Sequence, residues 1–520
     1  MTTSATFACP AASGDDARIT PGAAGVPEST DLLVIGLGVT GAGVALDAAS
    51  RGLSVVAVDA FDVAWGTSRW SSKLVHGGLR YLAKGQVGIA HESAVERGIL
   101  MEHTAPHLVH ALPMLIPLTD DVTPVQAFLA RGGVRAGDLL RLGARTRRGT
   151  LPKPRRISAT ETRTLARVVR HDVRGGILSW DGQLEDDARL VLDIARTAAA
   201  HGAHVHTRTR VLESTGTSAL LRDELTGRTR TITARAVVNA TGVWAADLVE
   251  EISLRPSRGT HAVVRKESLP GVRCAVMAPV PGEPNRYVFA LPQPDDTFYI
   301  GLTDEEVDGA VPDVPTPPEE DVDFLLDVIN LALQRPLTRD DVIGAYAGLR
   351  PLLDAGGATA DISRKHAVLT SRTGVVTVVG GKLTTYRRMA EDAVDRAVAQ
   401  AGLSAGPCRT RRLPLLGAAR PAELARLDAP ERLVRRFGTE ASLVLDSARA
   451  VTGLPDEELL APVSDTVPVT LAELVFGVTH EGAADVSDLL DRRTRVGLVP
   501  VDRESAVPLA ERALRLAGAN

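Results

Sequence analysis

The sequence predicts an α/β protein: a Rossmann-like parallel sheet assembled from discontinuous segments, a second domain with an antiparallel sheet, and a helical C-terminal domain. Three observations carry this expectation. A compact βαβ pattern starts at Asp31, a hairpin pattern lies near residues 287–302, and the apolar spacing turns helical beyond about residue 400.

Residues 1–30 are rich in Gly, Ala, Ser and Pro and lack the basic start and apolar block of a secretory signal, so they read as a disordered leader. Residues 31–35 (DLLVI) are an apolar run fit for a buried parallel strand and flow straight into Gly36, Gly38 and Gly41, spaced G-x-G-x-x-G. An Ala-rich helix follows to Ser50, Gly52 stops it, and residues 53–58 (LSVVAV) form a second strand ending on Asp59. Residues 236–239 (AVVN) and 374–379 (GVVTVV) are further buried-strand runs, whereas 287–291 and 298–302 flank a Gln-Pro-Asp-Asp turn as an antiparallel hairpin would. Helical spacing returns at 423–427, 431–437 and 471–478, after a proline-bearing passage at 407–421. No internal repeat is present. The domains implied are a nucleotide-binding domain from 31–105, 170–250 and 340–400, a substrate domain from 106–169 and 251–339, and a helical domain over 401–520.

Composition narrows the function classes. With 520 residues, 44% hydrophobic, and 59 basic against 64 acidic side chains, the chain has a net charge of −5, which argues against a dedicated nucleic-acid binder. No window approaches 18 uninterrupted apolar residues, so no spanning helix is expected. Cys9, Cys274 and Cys408 lie far apart without His partners at ligand spacing, which predicts neither disulfides nor a metal site and points to a reducing compartment. Aromatic residues are only 3% of the chain, so Ala, Val, Leu and Gly must build the cores.

The glycine pattern has a mechanism. Gly36 permits the tight turn, Gly38 lets backbone approach a pyrophosphate, Gly41 lets helix and strand pack closely, and the helix N-terminus offers free N–H groups to phosphates. Asp59, 18 residues past Gly41, is placed to accept from a ribose. Residues 65–81 then crowd hydroxyls, glycines and cations together where an NAD domain would continue with a third βα unit, so FAD is the favoured cofactor.

The segments GTSRWSSKLVHGGLRYL, from Gly66, and GGKLTTYRRMAEDAVD, from Gly380, together with the βαβ unit, resemble the FAD-dependent glycerol-3-phosphate dehydrogenases, relatives of the glycine and D-amino-acid oxidases. The likeness runs on through DGQLEDDARL, VVNATGVW, SRGTHAVV, RYVFALP, IGLTD, GLRPL and SRKH, and covers about residues 31–395; the tail resembles the family's C-terminal domain less specifically. Leu37 and Asp59 depart from the familiar pattern, in which a small residue and a Glu are usual. The resemblance implies FAD held by Thr67, Ser68, Ser72, Lys73, Leu74, His76, Gly77 and Gly78, by Ala240, Thr241 and Gly242, and by Gly381, Lys382, Leu383, Thr384 and Thr385.

It further implies hydride transfer from C2 of sn-glycerol 3-phosphate to flavin, with electrons passed to a membrane quinone and the protein peripheral on the cytoplasmic membrane face. Arg80, Arg286, Arg350 and Arg364 stand in the family-like motifs as candidates for the substrate phosphate, with Arg350 the first choice. His76, His261 and His366 are the candidate bases, Tyr81 a donor or packing partner, and Lys382 a charge beside the reduced flavin. Residues 131–156 hold eight Arg and one Lys around Leu139, Leu140 and Leu142, a patch suited equally to anionic lipid or to solvent; Asp138 has no assigned role there. Alternatives stay open: an oxidase using O2, an amine or hydroxy-acid oxidoreductase of the same fold, or a flavin-binding assembly subunit without turnover. Oligomeric state, a homo-oligomer included, is not legible.

Overall fold

Ser29–Ile35 is buried along nearly its whole length because it lies inside a parallel sheet: Leu32–Ile35 pair with Val55–Val58 on one side, and Ser29–Ile35 with Thr229–Asn239 on the other. The computed structural model describes residues 17–78, 85–120, 122, 124–283, 286–307, 309–354 and 365–518. In this first, nine-stranded sheet Val55–Val58 continues in parallel to His204–Thr207 and then to Thr20–Pro21, while Val376–Val379 joins Thr229–Asn239 from the far end of the chain. Thr209–Ser214 and Ser218–Asp223 extend it as antiparallel strands. Helices Val39–Ser50, Asp187–Ala200 and Tyr386–Ala401 pack over one face in a core of Ala, Val and Leu. The helices pack closely: a Cβ at Gly43 would sit 2.8 Å from the Tyr386 ring.

The second sheet has ten strands and is mixed. Leu254–Arg265 and Val342–Leu353 form a long antiparallel pair, the expected hairpin appears as Tyr287–Pro292 with Thr297–Gly301, and Val109–Pro117 runs antiparallel to Gly176–Leu184. Helix Glu319–Asn330 covers it with Val322, Leu325 and Ile329. Beyond the proline-bearing passage, helices Glu431–Phe437, Ala441–Thr452, Leu471–Thr479 and Pro500–Leu516 close around Leu474 and Phe476, and a small hairpin, Pro462–Ser464 with Val467–Thr470, interrupts what the apolar spacing predicts as purely helical.

Two sequence expectations need correcting. Residues 1–16 of the expected leader lie outside the described residues, but 17–30 are ordered: Ala17, Ile19, Ala23 and Val26 are buried, and Thr20–Pro21 is the sheet's edge strand. The domain boundaries also shift. Leu74–Val75, Gly176–Leu184 and Val342–Leu353, all placed in the nucleotide-binding domain from the sequence, pair in the second sheet, because an apolar run reads alike for either sheet.

Buried ion pairs fix the C-terminal domain to the nucleotide-binding domain. Arg189 pairs with Glu481, Arg196 with Glu440 at 2.5 Å, Arg436 with Asp186 at 3.1 Å, and Arg492 and Arg493 both with Asp62. Arg196 meets Glu440 with both terminal nitrogens, at 2.5 and 3.1 Å, a two-point fork that Arg offers and Lys does not, which gives one physical use for the Arg bias of this chain.

Candidate active site

The nucleotide end is built by three glycines, each for a different reason. Gly36 holds φ +98°, and a Cβ there would lie 2.7 Å from the Ala240 carbonyl oxygen, so only Gly lets the two strand ends meet. Gly38 caps the helix Val39–Ser50 without a side chain, so the helix start at Val39 and Thr40 borders the cavity, and the Val39 N–H donates to Ser68 Oγ at 2.9 Å. Gly41 faces the Gly36 carbonyl inside the fold, where any side chain would clash. Asp59 accepts from the Leu37 and Phe61 N–H groups at 2.7 and 2.8 Å, and burial pushes its carboxyl up to about 6 despite these bonds. Each oxygen keeps a lone pair for a further donor.

From Asp59 a cavity of about 1240 Å³ runs along the 61–72 segment to the second sheet. That volume exceeds the roughly 300–1,000 Å³ of most small-ligand pockets and suits a dinucleotide with room for a substrate. At the far end His261, 2% exposed, faces Ser72 Oγ at 2.8 Å through Nε2 and stacks on Tyr346 at 4.8 Å, whose hydroxyl donates to the Ser71 carbonyl at 2.9 Å. A Cβ at Gly301 would overlap the His261 ring, and one at Gly259 would overlap the Arg350 guanidinium, so two glycines on the sheet make the seats for these side chains. Arg350 Nη1 donates to Asp304 at 2.9 Å and to Ser257 Oγ at 3.1 Å. Burial, with the nearby positive charges of Lys73 and Arg350, holds the His261 imidazole down at about 3, so it is neutral at pH 7.

A family model described as FAD dependent oxidoreductase matches residues 31–387, and one described as the C-terminal domain of alpha-glycerophosphate oxidase matches residues 408–519. Over 490 residues the chain is 54% identical to glycerol-3-phosphate dehydrogenase 1 of Mycobacterium tuberculosis, covering 92% of this chain and 94% of that one. The chain belongs to the FAD-dependent glycerol-3-phosphate dehydrogenase family. It is also 34% identical to the mitochondrial glycerol-3-phosphate dehydrogenase SDP6 of Arabidopsis thaliana, covering 92% and 81% of the two chains. The crystal structure of the glycerol-3-phosphate dehydrogenase from Bacillus halodurans complexed with FAD superposes with a TM-score of 0.70 at 29% identity, covering 94% of this chain and 93% of that one. FAD is thus the cofactor that the glycine turn, Asp59 and the long cavity accommodate.

Most residues singled out in the sequence of this FAD-dependent dehydrogenase line that cavity. Gly36, Gly38 and Asp59 stand at one end; Thr67, Ser68, Ser72, Leu74 and His76 follow along the loop; Ala240, Thr241 and Gly242 lie opposite. Gly381, Lys382, Leu383 and Thr384 border it from the second strand-glycine-helix junction, with Lys382 Nζ donating to Ser93 Oγ at 2.6 Å. His261, Arg286 and Arg350 line the end on the second sheet, where Arg286 also bonds Glu283 at 2.9 Å.

Others point elsewhere. Lys73 is a correction: its ammonium is buried against Asp187 at 2.7 Å and the Arg69 carbonyl at 2.7 Å, because its backbone, at φ +56°, turns the side chain inward. His366 turns from the cavity to Asp392 on the following helix at 2.9 Å. Gly77 and Gly78 are buried behind the cavity wall, where the Gly77 N–H donates to the Asp181 carboxylate at 3.2 Å and a Cβ would strike Arg97. Thr385 is buried under the helix start, its hydroxyl donating to the Lys382 carbonyl at 3.2 Å. Arg80, Tyr81 and Arg364 lie outside the described residues. The sequence reading missed Asp304, which anchors Arg350, and Asp187, which anchors both Lys73 and Ser71. An Asp inside IGLTD and another inside DGQLEDDARL were the only signals available for them.

Proposed function

We propose that the protein oxidises sn-glycerol 3-phosphate at C2 to dihydroxyacetone phosphate and passes the electrons to a membrane quinone. The observation that carries this reading is the placement of His261 and Arg350 at the far end of the same cavity that begins at the glycine turn. When bound, FAD supplies the hydride acceptor. Arg350 and Arg286 take the substrate phosphate, and His261 takes the hydroxyl proton at Nε2, the ring atom that faces Ser72 Oγ. A phosphate dianion beside Arg350 offsets one of the two charges that depress the imidazole, so substrate binding itself raises its proton affinity. Lys382 and the short helix Leu383–Thr385 stabilise negative charge at the opposite rim.

Among the described residues no helix is long and apolar enough to cross a membrane. Peripheral docking on the cytoplasmic membrane face uses one surface: helix Pro124–Gly143 exposes Leu139 and Leu142, and just beyond it Arg145, Arg409, Arg411 and Arg412 rim a cleft of about 680 Å³. Anaerobic addition of sn-glycerol 3-phosphate to the yellow holoprotein should bleach the flavin absorbance near stoichiometrically, and a flavin that stays oxidised refutes the reading. Reoxidation of the bleached protein by a quinone analogue, and not at a comparable rate by O2, separates dehydrogenase from oxidase. Co-sedimentation with anionic but not zwitterionic vesicles, weakened in R409A/R411A/R412A, tests the docking surface.

A further inference from the structure

The C-terminal domain places a side chain directly behind the wall of the cofactor cavity, against Trp65, which lines it. Its π-helical turn Leu489–Arg493 carries Arg492, 1% exposed, to Asp62 Oδ2 at 2.5 Å, with Arg493 on the same oxygen and Asp488 on the other side of the Arg492 guanidinium. Burial would raise the Asp62 carboxyl, yet the two guanidinium groups hold it down at about 2. From that anchor the Arg492 guanidinium lies 4.7 Å from the Trp65 ring centroid.

Trp65 is one member of a continuous column. Arg210 covers Phe61 at 4.9 Å, Phe61 stacks on Trp65 at 4.6 Å, and Arg69 bridges Trp65 and Trp70 at 5.2 and 4.2 Å. Trp70 stacks on Tyr346 at 5.8 Å, and Tyr346 on His261 at 4.8 Å. Phe61, Trp65, Trp70 and His261 line the cavity, and with Arg69 and Tyr346 packed behind them they form a continuous column from its nucleotide end to the proposed base. The segment that holds Trp65 continues into Thr67, which donates to the Leu349 carbonyl at 2.6 Å, and Ser68, which receives the Val39 N–H at the helix start.

We infer that Arg492 is a positioning residue for FAD: it holds Trp65 and the 65–68 segment in the shape that receives the cofactor, and the C-terminal domain is thereby the clamp that retains it. The inference rests on FAD occupying the cavity and is independent of which substrate is oxidised. A planar guanidinium can pair with Asp62 at its edge while presenting its face to an indole; an ammonium can keep the charge but not the plate.

R492K and R492M test this in the purified full chain stripped of FAD. Expected is an FAD dissociation constant raised about tenfold in both, the scale of a lost desolvated cation–π plate, and a smaller rise in melting temperature on adding FAD. Lys preserves the charge for Asp62, so R492K apoprotein should melt close to the parent. Wild-type FAD affinity in R492K refutes the inference, as does a lowered apoprotein melting temperature with unchanged FAD affinity, the signature of a purely structural ion pair. If R492M does not fold, R492K alone decides.

Discussion

Lys73 offers a direct test of the structure against the sequence pattern, because the motif around it points to the flavin and the fold points to Asp187. The pair is nearly sealed, with side chains 2% and 1% exposed, and Asp187 also accepts from the Ser71 N–H at 3.0 Å and Ser71 Oγ at 2.7 Å. Removing one partner of such a pair costs about 3–5 kcal/mol, since the other charge stays buried without compensation. At about 2 °C per kcal/mol, the low end suited to a large chain, K73M apoprotein should melt roughly 6–10 °C lower. D187N should match it, and K73M/D187N should recover at least half of the summed loss, because Asn still accepts from Ser71 while no charge is left unpaired. Differential scanning at one scan rate reads all four proteins. A K73M protein that melts like the parent but binds FAD weakly would refute the assignment and return Lys73 to the cofactor.

The other expectations concern the cavity itself. R350A should raise the substrate concentration needed for anaerobic bleaching by roughly 10–100-fold, as for a lost charge-assisted hydrogen bond, with flavin content unchanged, and R350K should recover only part of it. G36A should yield colourless protein, since φ +98° and a Cβ 2.7 Å from the Ala240 oxygen oppose any side chain; a yellow G36A protein would count against the turn geometry. Asp59 makes the apoprotein pH-sensitive: its carboxyl is raised from 3.8 to about 6, so its contribution is fully present below about pH 4 and is lost as pH rises through 6. Urea unfolding of apoprotein between pH 4 and 7 should show that slope, flattened in D59N.

The βαβ unit was legible because its signals are local. A buried strand, three glycines and a terminal acid within thirty residues obey one geometry, and Gly36, Gly38, Gly41 and Asp59 fell where the spacing placed them. What failed was non-local. Lys73 and Asp187 are 114 residues apart, and His366 meets Asp392, 26 residues on, across two strands and a turn that a motif does not encode. The choice among three histidines likewise depends on Gly301, Ser72 and Tyr346, which come from three separate strands or loops and meet only in the folded sheet. The ordered start at Ala17 escaped notice because its few apolar residues, Ile19 and Val26, show no period, and their burial comes from neighbours such as His480, whose carbonyl accepts the Ile19 N–H at 3.1 Å.

The union of Asp62 with Arg492 also sets an order of events at the ribosome. The two residues are 430 positions apart, so at about 5–20 residues per second Asp62 waits roughly 20–90 s for its partner to be made. Val376–Val379 and the helix that covers Gly43 arrive late too. The cofactor cavity is therefore among the last parts of the molecule to be completed, and FAD has a fully walled site to enter only when translation is nearly over.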